Sequence, residues 1–390
     1  MRVLMLTYPL TAVTAAACGG TEQMVRLLLR AWERQAEFRV TWIGAAGSER
    51  LPGLDFISWD QVLGRRVGPE GGDGRIAAGQ LGHLFSELDA ALDRFLTASD
   101  WDLIHNQGAL FTGPHGAAAP VLFTLHLPRE LYPPGLFQER SPRLHFQCVS
   151  RSQWRLYGAE ATCGYIPNGI DLEQYPPRAV APGRDAPLLF LGRMCPEKAP
   201  HAAIEVARAC RRRLWLAGTV APFPAHQEYF AHAIAPHLDG GIRWLPSPTV
   251  EQKRALLAEA AAVLIPSGIE ETSSIVAMEA AASGVAVVAT RRGALPEIVA
   301  DGETGWLGNR EEFPGFLDRL NAITPQSCRA RAEHLFSRER MAAAYAALYR
   351  ELGSGAPLEW THGRCAGRDP DRVGAGQESV EPGRGGAGDG

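Results

Sequence analysis

What most constrains this chain is an alternation that runs twice along its 390 residues: short apolar runs, each followed by a loop and an amphipathic stretch. The first series of runs covers 2–7 (RVLMLT), 38–44 (FRVTWIG), 103–105, 121–125 and 145–150. The second covers 188–191, 214–217, 242–245, 262–265 and 285–289. Unbroken apolar runs of this length suit parallel strands covered on both faces. Strand, loop, helix and strand in repeated order predict a doubly wound α/β sheet. The longest predicted helix covers 76–98, with Leu81, Leu84, Leu88, Leu92 and Leu96 at helical spacing. Between the two series Pro176, Pro177, Pro182 and Pro187 cluster with Gly183, which predicts a linker.

The expected layout is therefore a first domain over 1–170, a linker over 171–186 and a second domain over 187–336. A helix over 337–352, N-capped by Ser337, is expected to pack back toward the first domain. The Gly- and Pro-rich tail over 353–390 has almost no apolar pattern and is expected to be disordered.

Composition narrows the function classes. Hydrophobic residues make up 46%, enough for two cores, and the net charge of −4 leaves no basic footprint for a nucleic acid. The one dense basic cluster, Arg211-Arg212-Arg213, falls where a helix should end and reads as a solvated turn. Seven cysteines are scattered with no CxxC spacing, as expected of reduced thiols in a cytoplasmic protein without a zinc motif. No apolar run approaches the roughly 18 residues that span a membrane. The apolar start of the chain is broken by Tyr8-Pro9 and carries one Arg, a poor secretory leader.

The densest chemistry lies in 266–284, PSGIEETSSIVAMEAAASG. A strand stops at Pro266, and a loop carries Glu270 and Glu271. Thr272, Ser273 and Ser274 then lead into a helix. Glu279 follows Glu271 with seven residues between them. That spacing predicts one carboxylate at the mouth of the helix and one about two turns inside. Eight helical residues rise about 12 Å, the span from a sugar to a ribose across a diphosphate. Free N–H groups at the helix start suit the diphosphate between them.

Three further loops end strands. Gly192-Arg193-Met194-Cys195-Pro196-Glu197-Lys198 follows the first strand of the second domain, where open α/β sheets bind ligands. Arg193 and Lys198 there can clamp a diphosphate and offset leaving-group charge without a metal. Gly19-Gly20-Thr21-Glu22 opens the first helix and lets backbone approach an anion. His126 ends the strand VLFTLH at the cleft side, and His105 ends its neighbour. Ile166-Pro167-Asn168-Gly169-Ile170-Asp171 reads as an ordered hinge, with Asn-Gly supplying a positive-φ corner.

Taken together, GGTE (19–22), TLH (124–126), IPNGID (166–171), GRMCPEK (192–198), LAG (216–218), EETSSIVAMEAAASGVAVVAT (270–290) and RRGALPEIVADGETGWL (291–307) resemble the retaining glycosyltransferases of family 4. The resemblance extends from residue 1 to about 350. It implies the GT-B architecture, two Rossmann-like domains facing a central cleft. It also implies transfer from a nucleotide-sugar donor to a hydroxyl acceptor with retention, in glycan, glycolipid or glycosylated-metabolite biosynthesis. By this resemblance Arg193 and Lys198 hold the donor diphosphate, Glu271 lies near the donor sugar and Glu279 binds the ribose. Backbone at Ser274 and Ile275 receives phosphate, Gly20 closes against the diphosphate beside Gly19, and His126 stands by the donor sugar. Gly192, Gly218 and Ser273 complete the donor-binding set, His126, Arg193, Lys198 and Glu271 the catalytic one, and no metal or other cofactor is expected. The family often has Phe-Gly where this chain has Ser273-Ser274.

A non-catalytic nucleotide-sugar binder and a GT-B sugar-nucleotide epimerase are the alternatives. The donor base, whether uridine, guanosine or adenosine diphosphate, stays open, as does the acceptor. The predicted 76–98 helix has only Arg94 besides His83 as basic groups, which points to a soluble acceptor or loose membrane contact.

Overall fold

All ten apolar runs become strands, and two more strands complete a pair of sheets. The structure, a computed structural model, describes residues 1–16, 19–33, 35–67, 78–108, 118–132, 134–138, 141–158 and 163–355. The glycine-rich stretch at 68–74 and the tail from 356 lie outside the described residues.

The first sheet contains β1 (Arg2–Leu6), β2 (Arg39–Gly44), β3 (Asp55–Ser58), β4 (Leu103–Asn106), β5 (Val121–Leu125) and β6 (Leu144–Cys148). They lie in the order β3-β2-β1-β4-β5-β6, all parallel. The second contains β7 (Leu188–Leu191), β8 (Leu214–Ala217), β9 (Ile242–Leu245), β10 (Ala262–Ile265), β11 (Val287–Thr290) and β12 (Gly305–Gly308). Their order, β12-β11-β10-β7-β8-β9, is the same winding again, also parallel throughout. In each sheet the winding reverses beside its first strand, between β1 and β4 and between β7 and β10. Loops leaving the C-terminal ends of those strands diverge there and open a crevice.

The central strands β4, β5, β7, β10 and β11 are buried at every position, which explains their unbroken apolar sequences. The two strands absent from the sequence reading, β3 and β12, each form one edge of a sheet, and their short sequences DFIS and GWLG carry only two apolar residues apiece; β6 and β9, the opposite edges, are richer in apolar residues.

The C-terminal helix Arg338–Gly353 begins at a Ser337 cap and packs onto the first domain. Its Met341, Ala342, Tyr345, Tyr349 and Leu352 share one core with Val3, Met5, Leu28 and Trp32. The chain therefore crosses between the sheets twice, and the two crossings pair. Ile170 N–H donates to the Phe336 carbonyl at 2.7 Å, and Arg338 N–H donates back to Ile170 at 2.9 Å. The hinge expectation needs one correction, because Gly169 is not at a positive φ. It is needed for close approach: a Cβ there would lie 2.9 Å from the Ser337 carbonyl oxygen. Asp171 pairs with Arg338 at 3.1 Å and fixes the same crossing.

A helix that the sequence did not announce, Pro325–Leu335, braces the second domain. Its Arg329 Nη1 donates to the carbonyls of Leu172, Tyr175 and Ala282 at 3.3, 2.7 and 3.1 Å. Ala282 ends the helix that carries Glu279, so the cation sits at the negative end of that helix dipole. No helix among the described residues is long and apolar enough to cross a membrane.

Candidate active site

The loops after β7 and β10 meet at the switch point of the second sheet. Lys198, from the β7 loop, donates to both carboxylate oxygens of Glu271 at 2.7 and 2.6 Å. Glu271 is only 5% exposed, so this cation is what makes burying the carboxylate tolerable. The Glu271 backbone is held as well: its carbonyl accepts from Ala294 N–H at 2.8 Å. Glu270 beside it is exposed and accepts from Gly293 N–H at 2.5 Å. Arg193 stays half-exposed, with Nη2 at 3.6 Å from Glu197 on its own loop. Gly192 leaves β7, and Gly218, just after β8, lies against the Gly192 carbonyl.

The helix after this loop is shorter than its sequence suggests. It spans Ile275–Ala282, and Ser274 is its N-cap. Only the four steps from Ile275 to Glu279 are helical, a rise of about 6 Å. The two glutamates are therefore joined by a turn of extended chain and one turn of helix, not by two turns of helix. Ser274 Oγ accepts from Ala277 N–H at 3.4 Å, which assigns the departure from Phe-Gly a capping role. Ser273 Oγ is buried and has no hydrogen-bond partner among the described residues.

Glu279, 1% exposed, takes a hydrogen bond from Tyr175 at 2.6 Å and pairs with Lys253. Its Oε2 is buried without a partner, although buried carboxylate oxygens normally have one. Glu279, Tyr175, Lys253 and Ile275 line a cavity of about 50 Å³ together with Gln23 and Met24 of the first domain. Gly20 begins the first helix, Gly20–Trp32, with Gly19 as its cap. A Cβ on Gly20 would lie 3.7 Å from the Ile275 side chain, so this glycine faces the start of the second-domain helix. A larger cavity, about 510 Å³, lies at the C-terminal ends of β10, β11 and β12 and is lined by Glu270, Arg291, Arg292 and Arg310. The foreseen donor residues do not line it; they meet at the switch point, where the buried charges are.

His126 comes to the same place from the first domain. Its carbonyl accepts from Thr272 Oγ1 at 2.8 Å, which sets it one residue from Glu271 across the cleft. A second bridge joins the domains nearby. Glu297 accepts from the N–H groups of Arg151 and Ser152 at 2.9 and 2.6 Å, at the start of the helix Arg151–Tyr157. Its carboxyl is raised above the ordinary range, because burial outweighs these hydrogen bonds.

The structure thus gathers His126, Lys198 and Glu271 in one cluster, and Glu279 with Gly20 and Ile275 in another along the same helix. It leaves Arg193 on the rim. Sequence reasoning missed Lys253, Tyr175, Thr272 and Glu297. Of these, Thr272 and Glu297 lie in quoted motifs, where nothing singled them out. Among the described residues no group of three or more His, Cys, Asp and Glu side chains is arranged to hold a metal ion.

Burial pushes His126 down to about 4 and, aided by the neighbouring His126 charge, His105 down to about 3. Both imidazoles are therefore neutral at pH 7, whereas in the unfolded chain they titrate near 6.5. Below that value the unfolded chain binds more protons than the folded one. The melting temperature is expected to be level above about pH 6.5 and to fall as the pH drops toward 4. The control is the double variant His105→Gln/His126→Gln, whose acid slope should be shallower; an unchanged slope contradicts the assignment.

Residues 186–324 match the family described as glycosyl transferases group 1. D-inositol 3-phosphate glycosyltransferase of Corynebacterium efficiens is 36% identical over 142 residues, covering 34% of this chain and 33% of that protein. A second such enzyme, from Catenulispora acidiphila, is 33% identical over 172 residues, covering 39% and 40%. The matches thus span less than half the length of these curated relatives. Solved structures align over nearly everything. AviGT4, a glycosyltransferase involved in avilamycin A biosynthesis, has a TM-score of 0.66 and 25% identity, covering 91% of this chain and 98% of that one. Sucrose-phosphate synthase from Thermosynechococcus elongatus reaches a TM-score of 0.71 at 19% identity, covering 91% and 100%. HepE of Anabaena, in complex with UDP and glucose, has a TM-score of 0.65 at 16% identity, covering 90% and 100%. The chain therefore has the GT-B fold of these glycosyltransferases, and residues 186–324 of its second domain are similar to the group 1 glycosyltransferase domain.

Proposed function

We propose that this chain is a retaining glycosyltransferase of family 4 that moves a hexosyl group from a nucleotide sugar to a hydroxyl acceptor. The observation that carries the reading is the Lys198–Glu271 pair at the switch point, next to Thr272, whose hydroxyl reaches the His126 carbonyl of the first domain. Arg193 and the N–H groups at the start of Ile275–Ala282 hold the donor diphosphate in the ground state, while Lys198 stays on Glu271. As the bond from sugar to diphosphate breaks, charge grows on the leaving oxygens. Lys198 then shifts its hydrogen bonds from Glu271 to that oxygen, which is stabilisation gained in the transition state. The leaving phosphate takes the proton of the acceptor hydroxyl. Glu271 is freed to accept a hydrogen bond from the donor sugar, and the unpartnered Oε2 of Glu279 accepts one from a ribose hydroxyl. No step in this scheme calls on a metal ion.

Uridine diphosphate is the base to try first, given the UDP named in the HepE complex. The curated relatives named for D-inositol 3-phosphate suggest a polyol acceptor.

The test is a thermal-shift panel of UDP-, GDP- and ADP-sugars with and without EDTA, followed by assay of nucleoside diphosphate release. Stabilisation by one base class that survives EDTA, with release that depends on an added polyol, is the expected result. Anomeric proton couplings of the product then decide retention. Absence of any shift would remove the donor site and the proposal with it, and epimerised donor without acceptor would replace transfer by epimerisation.

A further inference from the structure

Behind His126 runs a chain of buried hydrogen bonds that the transfer scheme does not use. His126 Nε2 lies 2.5 Å from Gln107 Oε1, and Gln107 Nε2 lies 3.0 Å from His105 Nε2. His105 Nδ1 is 2.5 Å from the Tyr349 hydroxyl, and His105 Nε2 is 2.8 Å from Thr124 Oγ1. Thr124 in turn meets the Tyr345 hydroxyl at 3.2 Å. His105 and Tyr349 are fully buried, and Gln107 is 4% exposed. His105 and Gln107 stand two residues apart at the end of β4 and so face the same side. The tyrosines come from the C-terminal helix.

With the Gln107 amide oriented this way, donor and acceptor rules set the protons. An amide nitrogen only donates, so His105 Nε2 must be bare. The proton of this neutral ring is then on Nδ1 and is donated to Tyr349. An amide carbonyl only accepts, so His126 must carry its proton on Nε2. The two histidines hold opposite tautomers, and the glutamine between them is what makes them opposite. If the amide turned over, both would invert.

We propose that Gln107 is a positioning residue that holds His126 as the Nε2–H tautomer, leaving its Nδ1 as a bare acceptor at the cleft. That nitrogen has no hydrogen-bond partner among the described residues. It can accept from a hydroxyl of the donor sugar and cannot donate to one. At the far end the Tyr349 hydroxyl, which can donate or accept, follows whichever tautomer the amide sets on His105. The consequence for turnover rests on the transfer reading; the tautomers themselves do not.

The experiment is long-range nitrogen–proton NMR of ring-labelled histidine in the full chain at about pH 7.5, with His126 and His105 assigned by their Gln variants. Wild type is expected to show His126 as Nε2–H and His105 as Nδ1–H. Gln107→Leu should leave His126 a mixture, and Tyr349→Phe, whose hydroxyl only follows His105, should keep the wild-type His126 tautomer. A wild-type His126 protonated on Nδ1, or an unchanged His126 tautomer in Gln107→Leu, overturns the proposal. Should either variant lose its cooperative melt, the wild-type pair decides alone: opposite tautomers in the stated sense support it, equal ones overturn it. On turnover, Gln107→Leu should lower kcat/KM about tenfold, the worth of one hydrogen bond. Gln107→Glu should not recover it, because a carboxylate on His126 Nε2 favours the imidazolium and puts a proton on Nδ1. If wild type transfers no sugar at all, the functional reading fails while the spectra still decide this one.

Discussion

Lys198→Ala is expected to lower kcat by about 10²- to 10³-fold, the usual cost of removing one group that stabilises developing negative charge. KM for the donor should rise far less, because Lys198 is engaged with Glu271 until the leaving group needs it. The same change strips a carboxylate that is 5% exposed of its cation, a loss of about 3–5 kcal/mol when a buried pair is broken on one side. Melting temperature must therefore be read beside the rate. Lys198→Ala/Glu271→Gln isolates the stability effect: it removes the stranded charge, so the melting temperature should return, while the rate, which either loss lowers, is compared only among the Lys198 single variants. Lys198→Arg keeps the charge and should lie between. Wild-type kcat in a destabilised Lys198→Ala protein would make this lysine structural and end its catalytic assignment.

Gly293→Ala is expected to be nearly as damaging without touching a charge. Gly293 has φ +54°, which costs an L-residue about 1–2 kcal/mol. A Cβ there would lie 2.3 Å from the Glu271 carbonyl oxygen and 2.4 Å from its amide nitrogen. Both are backbone atoms that no rotamer change can move, so the loop carrying Glu270 to Thr272 must shift. Thr272 is the residue that reaches the His126 carbonyl, and a shift there also loosens the contact between the domains. A displacement of about 1 Å in a reacting group can cost about 10²-fold in rate, and we expect a loss of that order with a lower melting temperature. Gly315→Ala is the matched control: its φ is ordinary and a Cβ would meet nothing within 4 Å. Equal behaviour of the two variants would contradict this account.

The sheets were legible because their central strands are buried on both faces and so read as unbroken apolar runs. β3 and β12 were not, since polar Asp55 and Ser58 in one and Gly305 and Gly308 in the other leave only two apolar residues in each. Lys198, Glu271 and Glu279 could be picked out because each lies on a loop or helix whose strand was visible. Their partners could not: Tyr175 reaches Glu279 across 104 residues and Lys253 across 26, and nothing local marks either one. The start of the Ile275–Ala282 helix was misjudged because a helix can begin at any residue of Thr-Ser-Ser, and only the hydrogen bond from Ala277 selects Ser274. Gly169 was misread for a related reason. Asn-Gly is a turn signal, and its actual constraint, the Ser337 carbonyl, is supplied by a segment far along the chain.

The return of Arg338–Gly353 to the first domain also bears on the order in which the polypeptide is made. Val3, Met5, Leu28 and Trp32 are synthesised early, yet the surface that covers them is among the last segments of the described chain to leave the ribosome. Until then the nascent first domain carries an uncovered apolar face and lacks Tyr349 beside His105. The second domain, wound from one continuous stretch, has all its strands by β12. Synthesis from the N-terminus usually lets the first domain settle first; here completion of the first domain waits on the second, and both halves of the cleft become whole at nearly the same moment.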